Sequence, residues 1–192
     1  RNDITLHVVL SANITSGIAP LQVVFSVSTS FTPVSYQMDF EGDGIIDYAG
    51  TTFENISRTY TTEGIFYPTL TITDDQGNTY SDTIAITVMN KAEMDALLKG
   101  KWEGMKGALN GGNIETALTY FPDEYRMGLR EAFTLMKDKI SINLALQDEL
   151  NLIDVYEDIA TYENVVYEPN GIYSYPVLFI KDKNGIWKMR SF

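Results

Sequence analysis

The chain has no cysteine and only one histidine in 192 residues. The first absence excludes disulfide staples, thiol catalysis and cysteine-ligated zinc or iron–sulfur sites. It leaves the compartment open. The single histidine, His7, falls in a strand-like run, and a surface or edge position suits it better than metal ligation or base catalysis. No run approaches the roughly 18–20 apolar residues of a membrane span. No Ser-His-Asp set, nucleophile elbow or phosphate-binding glycine loop is present. Basic side chains are scarce in the first half, where residues 1–90 carry 2 basic and 10 acidic groups against 12 and 16 in residues 91–192. That charge repels phosphate backbones and anionic bilayers, so nucleic acid and membrane surfaces are poor partners. Because the chain begins at Arg1 rather than methionine, we read it as a processed or excised piece whose leader, if it had one, is gone.

What is present is a well-patterned scaffold. Apolar residues make up 44% and charged residues 21%, ordinary values for a folded chain. The 12 tyrosines fall mostly in alternating runs, where a half-buried ring suits a strand. In residues 1–90 the spacing predicts strands at Ile4 to Leu10, Leu21 to Ser28, Phe31 to Phe40, Thr51 to Tyr60, Gly64 to Asp74 and Asn78 to Met89. Between them lie a polar turn region (Ser11 to Ala19), an acidic loop (Met38 to Gly50) and the turn DDQGN at Asp74 to Asn78. Short strands at this spacing, with no helical period, predict an all-β sandwich.

The order of features in this half resembles a PKD (polycystic kidney disease) domain, an immunoglobulin-like sandwich. The residues that carry the resemblance are Gly17, Ala19, Pro20, Leu21 and Phe25, then Asp39 and Phe40 with Gly42-Asp43-Gly44. Thr59, Tyr60, Gly64, Phe66, Leu70 to Asp74 and Gly77 follow. The match spans about residues 3–90. It departs from the family at Met38 (usually aromatic), Arg58 (usually histidine) and Pro68 (usually β-branched), and Pro68 is expected to force an edge or a bulge.

After Asn90 the period becomes helical. Ala92, Met94, Leu97, Leu98, Trp102, Met105, Ala108 and Leu109 recur at spacings of three and four, and Gly111-Gly112 ends the helix. Asn90, with Glu93 three residues on, fits a capping box. Asn113 can cap a short second helix, IETALTYF. Pro122 opens a third, which carries Leu129, Phe133 and Met136 on one face to at least Lys137 and extends at most to about Gln147. From Leu150 the period falls to two, and four strands are predicted, the last after an Asn184-Gly185 hairpin turn. Helices followed by an antiparallel meander predict an α+β domain over residues 91–192, its N-terminal helices packed on a curved sheet. This half resembles the nuclear-transport-factor-two-like (cystatin-like) group through the start around Trp102, the segment Gly112 to Leu118 and the ending FIKDKNGIWKMRSF. With almost no linker at Met89 to Lys91, domains 1–90 and 91–192 are expected to hold a fixed relative orientation.

The most suggestive chemistry lies in MDFEGDGIIDYAG, from Met38 to Gly50. Counted from Asp39, carboxylates fall at loop positions 1, 3, 5 and 9 (Asp39, Glu41, Asp43, Asp47), with glycine at 6 and the Ile45 carbonyl at 7. That is the spacing of the first part of an EF-hand-type calcium loop, in which crowded carboxylates gather around a hard cation. Glu41 stands where Asp or Asn is usual, Gly50 replaces the bidentate Glu at position 12, and no helix flanks the loop. The same residues also read as a glycine turn between two sandwich strands whose acids face water. Asp74 and Asp75 read first as turn residues. In the second half Tyr120, Tyr125, Arg126, Asp154 and Tyr162 are candidates for acid–base work by residue type, without forming a constellation. Asn13-Ile14-Thr15 and Asn55-Ile56-Ser57 are glycosylation sequons.

The expected function is therefore a non-catalytic, extracellular, cell-surface or periplasmic protein, as the PKD resemblance implies. It would act as a structural, adhesion or binding module toward proteins or polysaccharide, with calcium as the one candidate cofactor. Two other readings stand beside it: a subunit of an extracellular filament formed with copies of itself through exposed strands, and a small-molecule-binding or enzymatic cone in residues 91–192.

Overall fold

The computed structural model describes residues 7–144 and 147–192, with backbone alone for 137–144 and 147. The chain divides into two compact units, Arg1–Asn90 and Lys91–Phe192. The first unit contains β1 (Val8–Ala12), β2 (Ser16–Ile18), β3 (Leu21–Thr29), β4 (Pro33–Asp39), β5 (Tyr48–Gly50), β6 (Ser57–Tyr60), β7 (Gly64–Phe66), β8 (Thr69–Asp74), β9 (Thr79–Thr83) and β10 (Ile86–Met89). The strands β1-β3-β6 form one layer; the antiparallel sheet β5-β4-β8-β9 forms the other and is continued by β7-β10-β2, since β7 and β10 pair in the same register as β8 and β9. It is an immunoglobulin-like β-sandwich.

Alternation builds this core. Along β3, Leu21, Val23 and Phe25 point inward while Gln22, Val24 and Ser26 point out. Along β8, Leu70 and Ile72 are buried, and the outward threonines pair across to β9, Thr69 to Thr83 and Thr71 to Ser81, each at 2.9 Å. Met38, Phe40, Tyr60, Ile86 and Val88 complete the same cluster. Leu10 N donates to Asp82 Oδ2 at 2.8 Å and ties β1 to β9.

Three expectations for this unit are corrected. The run from Gly64 to Asp74 is two strands rather than one, because Pro68 has no N–H to give a ladder. The ladder is interrupted there but keeps its register, β7 pairing with β10 as β8 pairs with β9. The run from Asn78 to Met89 divides in the same way, with Ile84 N held by Pro68 O at 3.2 Å between β9 and β10. The acidic loop is shorter than Met38 to Gly50, since Met38 and Asp39 finish β4 and Tyr48 to Gly50 form β5; strand structure resumes only at Ser57. The start of the first predicted strand, Ile4 to Leu6, lies outside the described residues.

The second unit opens with α1 (Lys91–Asn110), which buries Met94, Leu98, Trp102, Met105 and Leu109 along one stripe. Leu97, grouped with that stripe by spacing, is half exposed. Gly112, at φ 72, ends the helix, its N–H reaching Leu109 O at 2.9 Å. Asn113 then caps α2 (Ile114–Leu118) by accepting from Thr116 N. A 3-10 turn, Asp123–Tyr125, precedes α3 (Arg126–Leu144), so Pro122 opens a tighter turn before the helix rather than the helix itself. Phe133 of α3 is buried, whereas Met136 is exposed.

Four antiparallel strands follow: β11 (Gln147–Tyr156), β12 (Ile159–Glu168), β13 (Gly171–Lys181) and β14 (Trp187–Ser191). Met189 N donates to Tyr120 O at 2.8 Å, and Phe121, Phe133 and Phe192 form a ring cluster with centroids 5.7–6.3 Å apart. The Asp182 to Gly185 turn is closed by Gly185 N to Asp182 O at 2.8 Å, with Gly185 at φ 75.

Leu70 is fully buried at the centre of the sandwich. Leu70→Ala should lower stability by about 2–5 kcal/mol, read as a shift in the urea midpoint of the full chain with an unchanged denaturant slope.

Candidate functional site

The acidic stretch closes as a loop between β4 and β5. Met38 pairs with Tyr48, and Asp47 N donates to Met38 O at 2.9 Å. Inside the loop the buried Asp39 carboxylate gathers four backbone donors. Its Oδ1 accepts from Glu41 N (3.1 Å), Gly42 N (2.7 Å) and Asp43 N (3.3 Å), and its Oδ2 from Gly44 N (2.7 Å). Gly42 and Gly44, at φ 78 and 88, turn successive amides toward one point and make a small anion nest. Gly42 is doubly required, since a Cβ there would stand 2.7 Å from Tyr67 O. Burial, the largest single influence, pushes the Asp39 carboxyl up, but the four amide donors together outweigh it and hold it below the ordinary carboxylate range.

Glu41 faces a basic side chain, Arg58. Arg58 Nε and Nη2 both donate to its Oε1, at 2.9 and 2.6 Å, while the guanidinium lies 5.7 Å over the Phe40 ring. Asp47 Oδ2 accepts from Phe40 N at 2.8 Å. Carboxylate oxygens of Asp39, Glu41 and Asp47 all lie within 4.8 Å of one another. Burial raises the Glu41 carboxyl; Arg58 draws it down and Asp47 pushes it further up, leaving it above the ordinary range.

Of the five residues singled out by spacing, three converge. Asp43 stays outside the set and accepts from Ile45 N at 2.9 Å, and the Ile45 side chain is exposed. Three converging carboxylates fall short of the six to eight oxygens that calcium takes. Among the described residues the loop leaves no buried side-chain polar atom without a partner. In this conformation Asp39 serves backbone amides and Glu41 serves Arg58, so a cation would enter by replacing the guanidinium. Arg58 was visible in the sequence only as a departure from the family pattern.

The other candidates are scattered. Asp74 organises its own turn, accepting from Gln76 N, Asn78 N, Asn78 Nδ2 and Tyr80 Oη at 2.8–3.2 Å. The Asn78 side chain, ahead of the remaining donors, holds its carboxyl below the usual range. His7 is exposed, and its N–H donates to Ser30 Oγ. Asn13 and Asn55 are both exposed; Asn13 Oδ1 accepts from Val24 N at 2.7 Å, and Asn55 has φ 55.

In the second unit Arg126 binds Phe121 O and Asp123, Tyr125 and Asp154 are exposed, Tyr120 Oη abuts Gly104, and Tyr162 is buried against Phe179. None of the five lines the cavity of about 280 Å³ that lies between α1 and the sheet, nor another pocket of similar volume in this unit. The cavity against α1 is formed instead by the apolar stripe of that helix, Trp102 included, together with residues that the sequence reading did not single out, among them Lys106, Asp148 and Asn164. Lys106 Nζ donates to Asp148 Oδ1 and Oδ2 at 2.8 and 3.0 Å and pairs with Glu103 at 2.9 Å, and Trp102 Nε1 donates to Asp148 Oδ2 at 3.2 Å. One signal in the sequence could have found Asn164: it shares the inward parity of β12 with Tyr162 and Val166, where a polar residue is out of place.

The family model described as PKD domain matches residues 6–88, which supports a PKD domain in the first unit. Among solved structures the chain is similar to the PKD1 domain of the Vibrio cholerae metalloprotease PrtV, at 26% identity and TM-score 0.34, covering 44% of this chain and 98% of that one. It is also similar to a chain described under the promiscuous specificity of carbohydrate-binding modules from the β-sandwich superfamily, at 27% identity and TM-score 0.38, covering 45% of this chain and 35% of that one. A third is the PKD domain of an M14-like peptidase from a Thermoplasmatales archaeon, at 18% identity and TM-score 0.35, covering 44% and 94%. No curated protein matches the sequence.

The lowered carboxyls of Asp39 and Asp74 give a signed pH dependence. A folded-state value below the unfolded one stabilises above the ordinary carboxylate range and is lost as pH falls through the folded value. Asp39→Asn has one acceptor oxygen for four amides and should cost about 2–4 kcal/mol at pH 7. The gap between wild type and variant should narrow as pH falls below the ordinary carboxylate value and through the lowered folded one, which urea titrations at stepped pH would measure.

Proposed function

We propose that the chain is a non-catalytic extracellular, cell-surface or periplasmic protein, in which the first unit acts as a structural, adhesion or binding module toward proteins or polysaccharide. The observation that carries this reading is the PKD match over residues 6–88, since the PKD domain is a non-catalytic module. The build of the sandwich fits it: the acidic loop is held by its own amides and by Arg58, so its carboxylates serve the turn between β4 and β5. Among the described residues no helix is long and apolar enough to cross a membrane. For the second unit we propose the helix-and-curved-sheet cone of the nuclear-transport-factor-two-like group, without a catalytic role.

Calcium enters this reading as an alternative counter-ion to Arg58. It would be held by Asp39, Glu41 and Asp47, with Asp43 and the Ile45 carbonyl joining only on rearrangement of the loop. In EDTA, Arg58→Ala should lose about 1 kcal/mol, the size of a partly exposed ion pair. Added millimolar calcium should then raise its melting temperature more than that of wild type. An equal response from the two proteins would remove calcium from this loop.

Self-association is a second reading, and β13 favours it. Only its end, Leu178 to Lys181, pairs with β14, while Ile172, Tyr173 and Tyr175 on the earlier stretch are exposed. An exposed strand edge is a template for another chain. Sedimentation velocity over a hundredfold concentration range separates the readings, because polymers that Tyr173→Lys abolishes would favour assembly.

The main proposal is tested by labelling intact cells of the native source with a membrane-impermeant biotin reagent, and by affinity electrophoresis through gels holding soluble glucans and xylans. Surface labelling with retardation by at least one polysaccharide, or with cross-linking to a surface protein, is the expected result. A chain protected from label until cells are lysed would refute the location for a surface protein.

A further inference from the structure

The second unit holds a cavity whose polar wall has one unmet demand. Asn164 is 8% exposed, and its side-chain oxygen has no hydrogen-bond partner. Asp148, Asn164 and Val166 face the same side of the sheet, since Asp148 pairs with Val166 and Leu150 with Asn164 in the β11–β12 ladder. Trp102, Met105 and Leu109 of α1 form the opposite wall, and Tyr175 and Phe192 add further rings. The volume, about 280 Å³, lies at the small end of ligand pockets, roughly 300–1,000 Å³. A buried amide oxygen left unpaired costs free energy that a bound donor would recover.

Charge narrows the class. Lys106 is the one cation on the wall, and it is already bound to both Asp148 oxygens and to Glu103. Glu168 adds another carboxylate. An anionic ligand would therefore meet acceptors and carboxylates with no free cation, while a donor group meets the Asn164 oxygen. The three aromatic side chains of the lining, Trp102, Tyr175 and Phe192, suit a flat apolar body.

We propose that the cavity between α1 and the sheet of the second unit binds a small, aromatic-bodied molecule carrying a neutral or cationic N–H or O–H donor, which Asn164 Oδ1 accepts. This goes beyond the binding role proposed for the first unit and stands on separate residues, so either can fail alone.

The test is a titration of the isotope-labelled full chain by two-dimensional NMR, with tyramine as the donor probe and 4-hydroxyphenylacetate as its anionic counterpart. Tyramine should shift the Trp102 indole N–H and the Asn164 side-chain amide saturably, and bind at least tenfold tighter than the acid. Asn164→Leu, which removes the unmet acceptor at similar volume, should weaken tyramine at least tenfold while the rest of the spectrum keeps its dispersion. Asn164→Asp, which adds a charge and serves if the leucine variant does not fold, should tighten tyramine at least threefold. Saturable binding of the acid as tight as the amine, tyramine affinity unchanged by either substitution, or no saturable shift of the Trp102 indole would each overturn the proposal.

Discussion

A carboxylate taken out of water must be given hydrogen-bond donors, and that requirement shapes the turns of this protein. Asp39 collects four backbone amides, Asp74 two amides with the Asn78 and Tyr80 side chains, and Asp182 the amides of Asn184 and Ile186. Each acid stands at the end of a strand and draws in the backbone that follows it. The first unit carries 10 acids and 2 basic residues, so side-chain pairing could not neutralise its charge. Backbone amides instead replace the hydration of the turn acids, and among its described residues only Arg58 makes an ion pair with one of the acids.

The same loop explains how chemistry suggested by spacing becomes architecture. Carboxylates at alternating positions satisfy the count of a calcium loop, but the count does not say where each oxygen points. Two left-handed glycines aim the amides at Asp39, and Asp43 turns outward to Ile45 N. Arg58 arrives from β6, 17 residues away from Glu41 in sequence. No local reading could place it there, because the contact exists only once β6 pairs with β3 and the sandwich closes.

The second unit shows the opposite relation between demand and supply. Its inward parity on β12 runs Tyr162, Asn164, Val166, and the middle position places an amide where its neighbours place apolar groups. Asp148, diagonal to it on β11, is satisfied by Lys106 and Trp102 from α1, and the Asn164 side-chain oxygen has no partner.

By itself the sequence determined the strand alternation of residues 7–89, the helix stripe from Met94 to Leu109, the cap at Asn113 and the hairpin at Asn184-Gly185. Those features follow from local periodicity and turn chemistry, which act within a few residues. Tertiary structure decided how the ladder breaks between the runs around Pro68 and Ile84, which three acids converge, that Arg58 answers Glu41, and that the Asn164 side-chain oxygen stays unpaired in a cavity. Each of these depends on partners brought from distant strands and helices, and a pairing of that kind leaves no period in the chain to read.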